Sequence, residues 1–265
     1  MMKAFCILPI DKDDARKISG QDLLDIPSDI LPSFAADKHP LVVQGGYNND
    51  IRMTALDILP LQIEALMQGS ITVPYTDVIG DGTPITVPIN NYIGGTDGRD
   101  LQAIVPAIAA GVSPFEGTTF FATTFAPDTA SAQPLGNNLY SLQAKPYLLP
   151  NQLSGPGIYA EAYDMLYSLT NESPYTERTF HDLLSRPLLL NNGNCQGVSI
   201  YFNQSFTDPK MAVANVTLYH QILGTPPADI EGLYEDVYCY QANGVLVADV
   251  GVDCEDARVD PAAVA

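Results

Sequence analysis

Over residues 212–223, Ala212, Ala214, Val216, Leu218, His220 and Ile222 alternate with Val213, Asn215, Thr217, Tyr219, Gln221 and Leu223. A period of two sends the two sets to opposite faces of a pleated strand. Val198, Ile200 and Phe202 make a shorter face of the same kind. Upstream, Ile71-Thr72-Val73-Pro74 and Ile85-Thr86-Val87-Pro88 repeat one short motif. Asp81-Gly82 follows the first copy and Gly94-Gly95 the second. β-Branched residues beside Thr suit a half-buried pleated surface, so the repeat predicts two adjacent strands with Gly-rich turns. Two copies fall short of the three that a stacked solenoid needs. Asn243-Gly244 separates Val237-Tyr238-Cys239-Tyr240 from Val245-Leu246-Val247, which predicts a hairpin closed by a type I′ turn.

Helical spacing is rarer. Leu101, Ile104, Val105 and Ile108 share one helical face, interrupted by Pro106 and stopped at Gly111. Ile158, Ala162, Met165, Leu166 and Leu169 form a second stripe. A third opens at Ser173-Pro174, carries Phe180, Leu183 and Leu184, and stops at Arg186-Pro187. Serine caps a helix and proline fits its first turn. Helices are therefore expected within 98–111 and 156–186. The chain reads as mainly β, a β-sandwich or jelly-roll-like body with two or three short helical excursions, and a double jelly roll as the alternative. Residues 1–265 read as one β-rich domain. A subdivision near 126–157, where Pro, Gly, Asn and Ser are frequent, is the other division the pattern allows.

Charge narrows the function. Twelve Lys and Arg stand against 31 Asp and Glu, a formal net charge of −19. Nucleic-acid affinity comes largely from cations neutralising phosphates, and the densest basic set, Lys3, Lys12, Arg16 and Lys17, has Asp11, Asp13 and Asp14 among it. Direct binding to nucleic acid is excluded on this ground, as is docking on anionic lipid. No apolar run reaches the roughly 20 residues of a membrane-crossing helix. The apolar stretch at residues 4–9 is too short for a signal peptide, so synthesis in a cytoplasm is expected. Cys6, Cys195, Cys239 and Cys254 contain no Cys-x-x-Cys pair and read as buried free thiols. The hairpin register puts Cys239 and Cys254 about 20 Å apart, beyond the reach of about 7 Å that a disulfide has between Cα atoms.

Candidate chemistry is sparse. Asp77, Asp81, Asp97 and Asp100 lie in or beside turns of the repeat, an oxygen-rich set that suits calcium and is also ordinary turn chemistry. Cys195 with His181 or His220 lacks any spacing that would assemble a thiol nucleophile. The serine-hydrolase elbow and the phosphate-cradling loops are missing from the sequence. Two carboxylates in a groove would suffice for glycoside cleavage. Tyr159, Tyr163 and Tyr167 recur every four residues and are read as a subunit interface, where an apolar ring with a wet end is favoured.

The combined expectation is a self-assembling structural protein, a viral capsid or other virion component. Its partners would be copies of itself and other structural proteins of the same assembly, and its location the virion or assembled particle. No cofactor is called for, with calcium as the single candidate ion. The alternatives are a carbohydrate-binding or adhesion module stabilised by calcium and a carboxylate-based hydrolase.

Overall fold

The computed structural model of the chain describes residues 1–55, 59–96, 120–148, 158–202 and 209–259. Its first half carries β1 (Met2–Asp11), helix α1 (Lys12–Ser19), β2 (Asp22–Leu23), and the long strands β3 (Lys38–Ala55) and β4 (Leu59–Asp77). β5 (Ile85–Gly94), β6 (Phe121–Ala126), β7 (Gln133–Gly136), β8 (Leu139–Leu148), β9 (Ile158–Tyr159) and β10 (Tyr163–Thr170) follow. Helix α2 (Glu177–Leu184) precedes β11 (Leu188–Leu189), β12 (Cys195–Gln196), β13 (Val198–Phe202), β14 (Lys210–Leu218) and β15 (Gly232–Ala248).

Nine of these strands close on themselves in the order β5-β6-β8-β10-β14-β15-β1-β3-β4, with β4 returning to β5. Strand directions cannot alternate around an odd ring, so one pair must be parallel. That pair is β5 with β6, where Tyr92 lies beside Phe121 and Ile93 beside Ala122. The body is thus mainly β, as the alternation predicted. The expected two facing sheets of a sandwich or jelly roll are replaced by one closed barrel, because each of the nine strands finds a neighbour on both edges.

Barrel walls alternate inward and outward residues. One apolar cluster draws on all nine strands and therefore fills the interior. It includes Cys6 and Leu8 of β1, Val43 of β3, Met67 of β4, Tyr92 of β5, Phe125 of β6 and Leu142 of β8, with Tyr163, Val216 and Cys239 from the remaining three. A second cluster lies outside the wall under α2, with Phe5, Ile7, Val42, Phe180, Leu183, Ile200 and Tyr240. β1 is buried on both faces, which explains its unbroken run from Ala4 to Leu8. α2 starts where Thr176 N–H donates to Thr179 Oγ1 at 3.2 Å, and the Thr179 hydroxyl donates to the Ile30 carbonyl at 2.7 Å.

The Ile-Thr-Val-Pro repeat forms neighbouring antiparallel strands, with Thr72 opposite Pro88 and Val73 opposite Val87. Register shifts flank that pair, which is where proline is tolerated. Other expectations are corrected. Of the described residues within 156–186, only Glu177–Leu184 is helix; residues 163–170 are strand β10. The stretch at 98–111 lies outside the described residues. No hairpin forms at Asn243-Gly244: β15 runs straight through, paired with β1 and β14 before it and with β13 after it. Gly244 is needed there for closeness, since a Cβ would meet the Tyr201 carbonyl oxygen at 2.9 Å.

The four cysteines are not free thiols. Cys6 and Cys239 face each other across the β1–β15 ladder and are bonded, with Cα atoms 4.0 Å apart. Cys195 is bonded to Cys254, Cα atoms 4.6 Å apart, because a bridge between Cys195 and Val252 brings the last segment alongside. Cys239 and Cys254 are unbonded to each other as expected, although the hairpin behind that expectation does not exist.

Two predictions follow from the core. In the interior, a Cβ on Gly69 would come within 2.2 Å of the Tyr163 hydroxyl. Gly69→Ala should destabilise by about 1–3 kcal/mol, and Tyr163→Phe, which removes that oxygen, should recover part of the loss in a double-mutant cycle of denaturant melts. Additive losses would show that the clash is not the cause. For the disulfides, digestion of unreduced protein should release peptides linked Cys6–Cys239 and Cys195–Cys254. Replacing either pair by Ser should lower stability by about 2–5 kcal/mol. A Cys239–Cys254 peptide would contradict the fold.

Candidate functional site

Tyr163 and Tyr167 were expected at a surface and lie in the barrel instead, both buried. A spacing of four keeps residues on one face of a strand as well as of a helix, and here that face points inward. The Tyr163 hydroxyl donates to the Gln44 carbonyl at 3.1 Å, and Tyr92 packs edge-on against its ring at 5.7 Å. Tyr167 stacks on Tyr140 at 5.5 Å, and Gln241 Nε2 donates to its hydroxyl at 3.1 Å. Burial pushes the Tyr92, Tyr163 and Tyr167 phenols well above their ordinary range, so all three stay neutral. Tyr159 pairs with Tyr147 in the short β8–β9 ladder and is not brought to the other two by packing on one helix.

The Asp-bearing turn resolves into local hydrogen bonds. Asp77 Oδ1 accepts from the N–H groups of Gly80 at 2.9 Å and Gly82 at 3.2 Å, and Asp81 Oδ1 accepts from Thr83 N–H at 2.8 Å. The hydrogen bonds from Thr83 hold the Asp81 carboxyl below its usual range. Asp97 and Asp100 lie outside the described residues. Among the described residues no group of three or more His, Cys, Asp or Glu side chains comes together as a metal site would require.

Two polar arrangements escaped the sequence reading. On the outer face of β1, Lys3 is fully buried and its Nζ donates to Gln68 Oε1 at 3.1 Å. Asn48 Nδ2 donates to the same oxygen. Lys3 lies directly across Gly46, where a Cβ would meet the Lys3 Cα at 2.8 Å, so the missing side chain lets the lysine cross to β4. Desolvation pushes its amine down to about 7. A neutral amine is the form that attacks carbonyls, yet Lys3 is sealed from solvent. The second arrangement joins α2 to the wall. Tyr75 donates to Asp182, Arg186 Nη2 donates to the Tyr75 hydroxyl at 2.8 Å, and Arg186 pairs with Asp182 while its guanidinium lies 4.8 Å above the Tyr75 ring. These groups satisfy one another and act as a clamp.

Open depressions on the described surface are lined by Tyr47, Asn49, Asp50, Arg52 and Glu64, and by Val78, Ile79, Gly193, Asp253, Cys254 and Glu255. Neither has the enclosed, mostly apolar character of a small-molecule site. Asp164 is the carboxyl raised by burial, hydrogen-bonded by Tyr219 at 3.0 Å; nearby Glu161 is engaged by Lys145 at 3.2 Å.

Strand edges are more distinctive. β1 accompanies β3 only as far as Tyr47, and β5 accompanies β4 only from Met67 onward. β3 and β4 nonetheless stay paired from Asn48 with Leu66 out to Ala55 with Leu59. Among the described residues no third strand joins 48–55 or 59–66, so the barrel wall continues there as a two-stranded arm. At its base, Leu66 and Ile93 pack with Ile51, Ile63 and Phe120. Elsewhere on the barrel, β15 leaves β14 after Gln241 and β1 after Asn243, and among the described residues it then pairs only with β13. Over that ribbon Val245, Leu246 and Val247 are 53%, 40% and 47% exposed.

Among the described residues the fold is a closed nine-strand barrel with an apolar interior, from which β3 with β4 and β15 with β13 continue as two-stranded extensions. No family model matches the chain, and no curated protein matches it. A solved structure of acetoacetate decarboxylase is similar to it at 9% identity, over 94% of this chain and 87% of that one, with a TM-score of 0.47. That likeness carries no argument about what this chain does.

The buried lysine gives a pH-dependent test. Its amine titrates near 7 in the folded chain and near 10.5 when unfolded, so between those values the unfolded chain holds a proton that the folded chain does not. Stability attributable to Lys3 is therefore full above about pH 10.5, falls as pH drops to about 7, and is level below. Lys3→Met should raise the melting temperature most at pH 6–7 and least near pH 10, and the gain should reach a few kcal/mol. An equal shift at both pH values would show that the amine is not desolvated.

Proposed function

We propose that this protein is a self-assembling structural protein, a virion component or a subunit of a comparable particle, in an outer-shell, tail or decoration position. The observation that carries the reading is the pairing of residues 48–55 with 59–66, which no third strand joins among the described residues. Two strands on their own are at best marginally stable in water, and a strand edge without a ladder partner is open to pairing with another strand. Such an element gains a reason to exist when a neighbouring molecule covers it.

Other features support the same reading. The barrel interior is occupied by Tyr92, Tyr163, Tyr167 and aliphatic side chains, which leaves the outside as the working surface. With a net charge of −19, contact with packaged nucleic acid is unfavourable, so an inner lining position is disfavoured. Two disulfides suit a particle that persists outside a reducing compartment.

Size-exclusion chromatography with light scattering tests this directly. The expected result is a species of many times the 28.5 kDa chain mass, unchanged by calcium or a chelator. A monomer that calcium stabilises would favour the adhesion-module alternative instead, and a monomer indifferent to calcium would remove the assembly reading.

A further inference from the structure

The two disulfides differ in what surrounds them. Cys6 and Cys239 are 0% and 1% exposed and belong to the apolar cluster inside the barrel. Cys195 is equally buried, in a small cluster with Ile85 and Ala257. Its partner Cys254 is only partly buried against that cluster, and it lines the surface depression shared with Val78, Ile79, Gly193, Asp253 and Glu255. The Gly193 carbonyl oxygen lies 3.6 Å from Cys254 Sγ, at an exposed position.

One sulfur of this second bond is therefore open to solvent and the other is not. Thiol–disulfide exchange proceeds by attack of a thiolate on one of the two sulfurs, and access decides which is taken. A depression too open to enclose a ligand is adequate for this, because the new bond is covalent and only the approach has to be clear. Charge then selects the reagent. Along residues 249–259 stand Asp249, Asp253, Glu255 and Asp256 against Arg258 alone. The Arg258 guanidinium is turned onto the carbonyls of Glu255 at 2.6 Å and Ala257 at 2.8 Å. Asp253 and Glu255 line the approach itself, so a cationic thiol is drawn in and an anionic one repelled.

We infer that Cys254 is a modification site for small thiols that carry a positive charge, the aminothiols. The thiolate sulfur bonds to Cys254 Sγ as the Cys195–Cys254 bond breaks. The electron pair of that bond leaves on Cys195 Sγ, which takes up a proton. The products are a mixed disulfide at Cys254 and a free thiol at Cys195, with no oxidant consumed. Residues 249–259 then stay beside β12 through the backbone bonds of Cys195 with Val252 and of Asp249 with Gly197, the Gln196 side chain on the Asp249 carbonyl, and the packing of Ala257. The inference stands apart from the assembly reading, and neither needs the other.

Exchange on the folded, unreduced full chain tests it. The chain is treated with cysteamine, mercaptoethanol or mercaptoethanesulfonate, quenched with acid and mapped by mass spectrometry. Each rate is divided by the rate of the same thiol on the disulfide of mercaptoethanol, which removes differences in intrinsic reactivity. The first adduct should sit on Cys254, with Cys195 a free thiol and the Cys6–Cys239 peptide still linked. At low ionic strength the normalised rate of cysteamine should exceed that of mercaptoethanesulfonate by about tenfold, with mercaptoethanol between them, and the gap should close at high salt. Asp253→Asn with Glu255→Gln should narrow the gap and keep the Cys195–Cys254 linkage, because the segment's hydrogen bonds use the backbone carbonyls of these two residues. A first adduct on Cys195, earlier reaction at Cys6–Cys239, or no adduct without denaturant overturns the proposal. So do equal normalised rates, a gap that the double variant leaves unchanged, or a chain with no Cys195–Cys254 linkage before treatment.

Discussion

The size of a nine-strand barrel sets the terms for everything else. Its interior is wider than aliphatic side chains alone fill easily, and protein interiors tolerate few voids larger than water. Tyr92, Tyr163 and Tyr167 supply the bulk. Their size is accommodated by missing side chains across the wall: a Cβ on Gly45 would meet the Tyr163 hydroxyl at 2.5 Å and Leu142 at 2.6 Å. The phenol also needs a partner once buried, and the Gln44 carbonyl provides it. Residues 44, 45, 69 and 163 are therefore one packing unit drawn from β3, β4 and β10. This unit helps to fill the barrel interior among the described residues.

What the sequence revealed depended on whether a pattern had one physical meaning or two. Strict alternation over 212–218 has one, and it marks β14 correctly. The Ile-Thr-Val-Pro repeat likewise reads as adjacent strands, and β4 lies beside β5. Tyr159, Tyr163 and Tyr167 are different, because a four-residue step is nearly a helical turn and also two strand repeats. Only the interior of a closed barrel chooses between them, and that is a long-range fact. Asn243-Gly244 was ambiguous in the same way. Gly suits a tight turn, but it also suits a place where another backbone comes close, and the Tyr201 carbonyl occupies that space. The turn at Asp77 and Asp81 was legible as turn chemistry, since its bonds span only a few residues. The Lys3 environment and both disulfides were not, because their partners lie 59 to 233 residues away.

Lys3 and the Cys6–Cys239 bond illustrate how heavily β1 is used. The strand is the joint between β3 and β15, and it packs Cys6 inward and Phe5 outward toward α2. A lysine at its start, fully buried and bonded to the neutral Gln68 amide, disfavours the folded state near neutral pH. The disulfide beside it constrains the unfolded chain over a separation of 233 residues, and so acts in the opposite sense.

A closed barrel is one of the few β architectures with no edge strands. Among the described residues, edges reappear where β3 and β4 run past the strands that flank them and where β15 leaves the ring to meet β13. Neither extension is needed to close the wall of the barrel. Elements that cost stability in the isolated chain persist most readily where association recovers it. The paucity of charge acts in the same direction. Neutral polar and aliphatic surface can be covered without stripping water from ions, whereas the remaining acids keep copies apart everywhere else. If copies associate, contact through surface that carries little charge, against a background of mutual repulsion, would be directional because most other approaches are unfavourable.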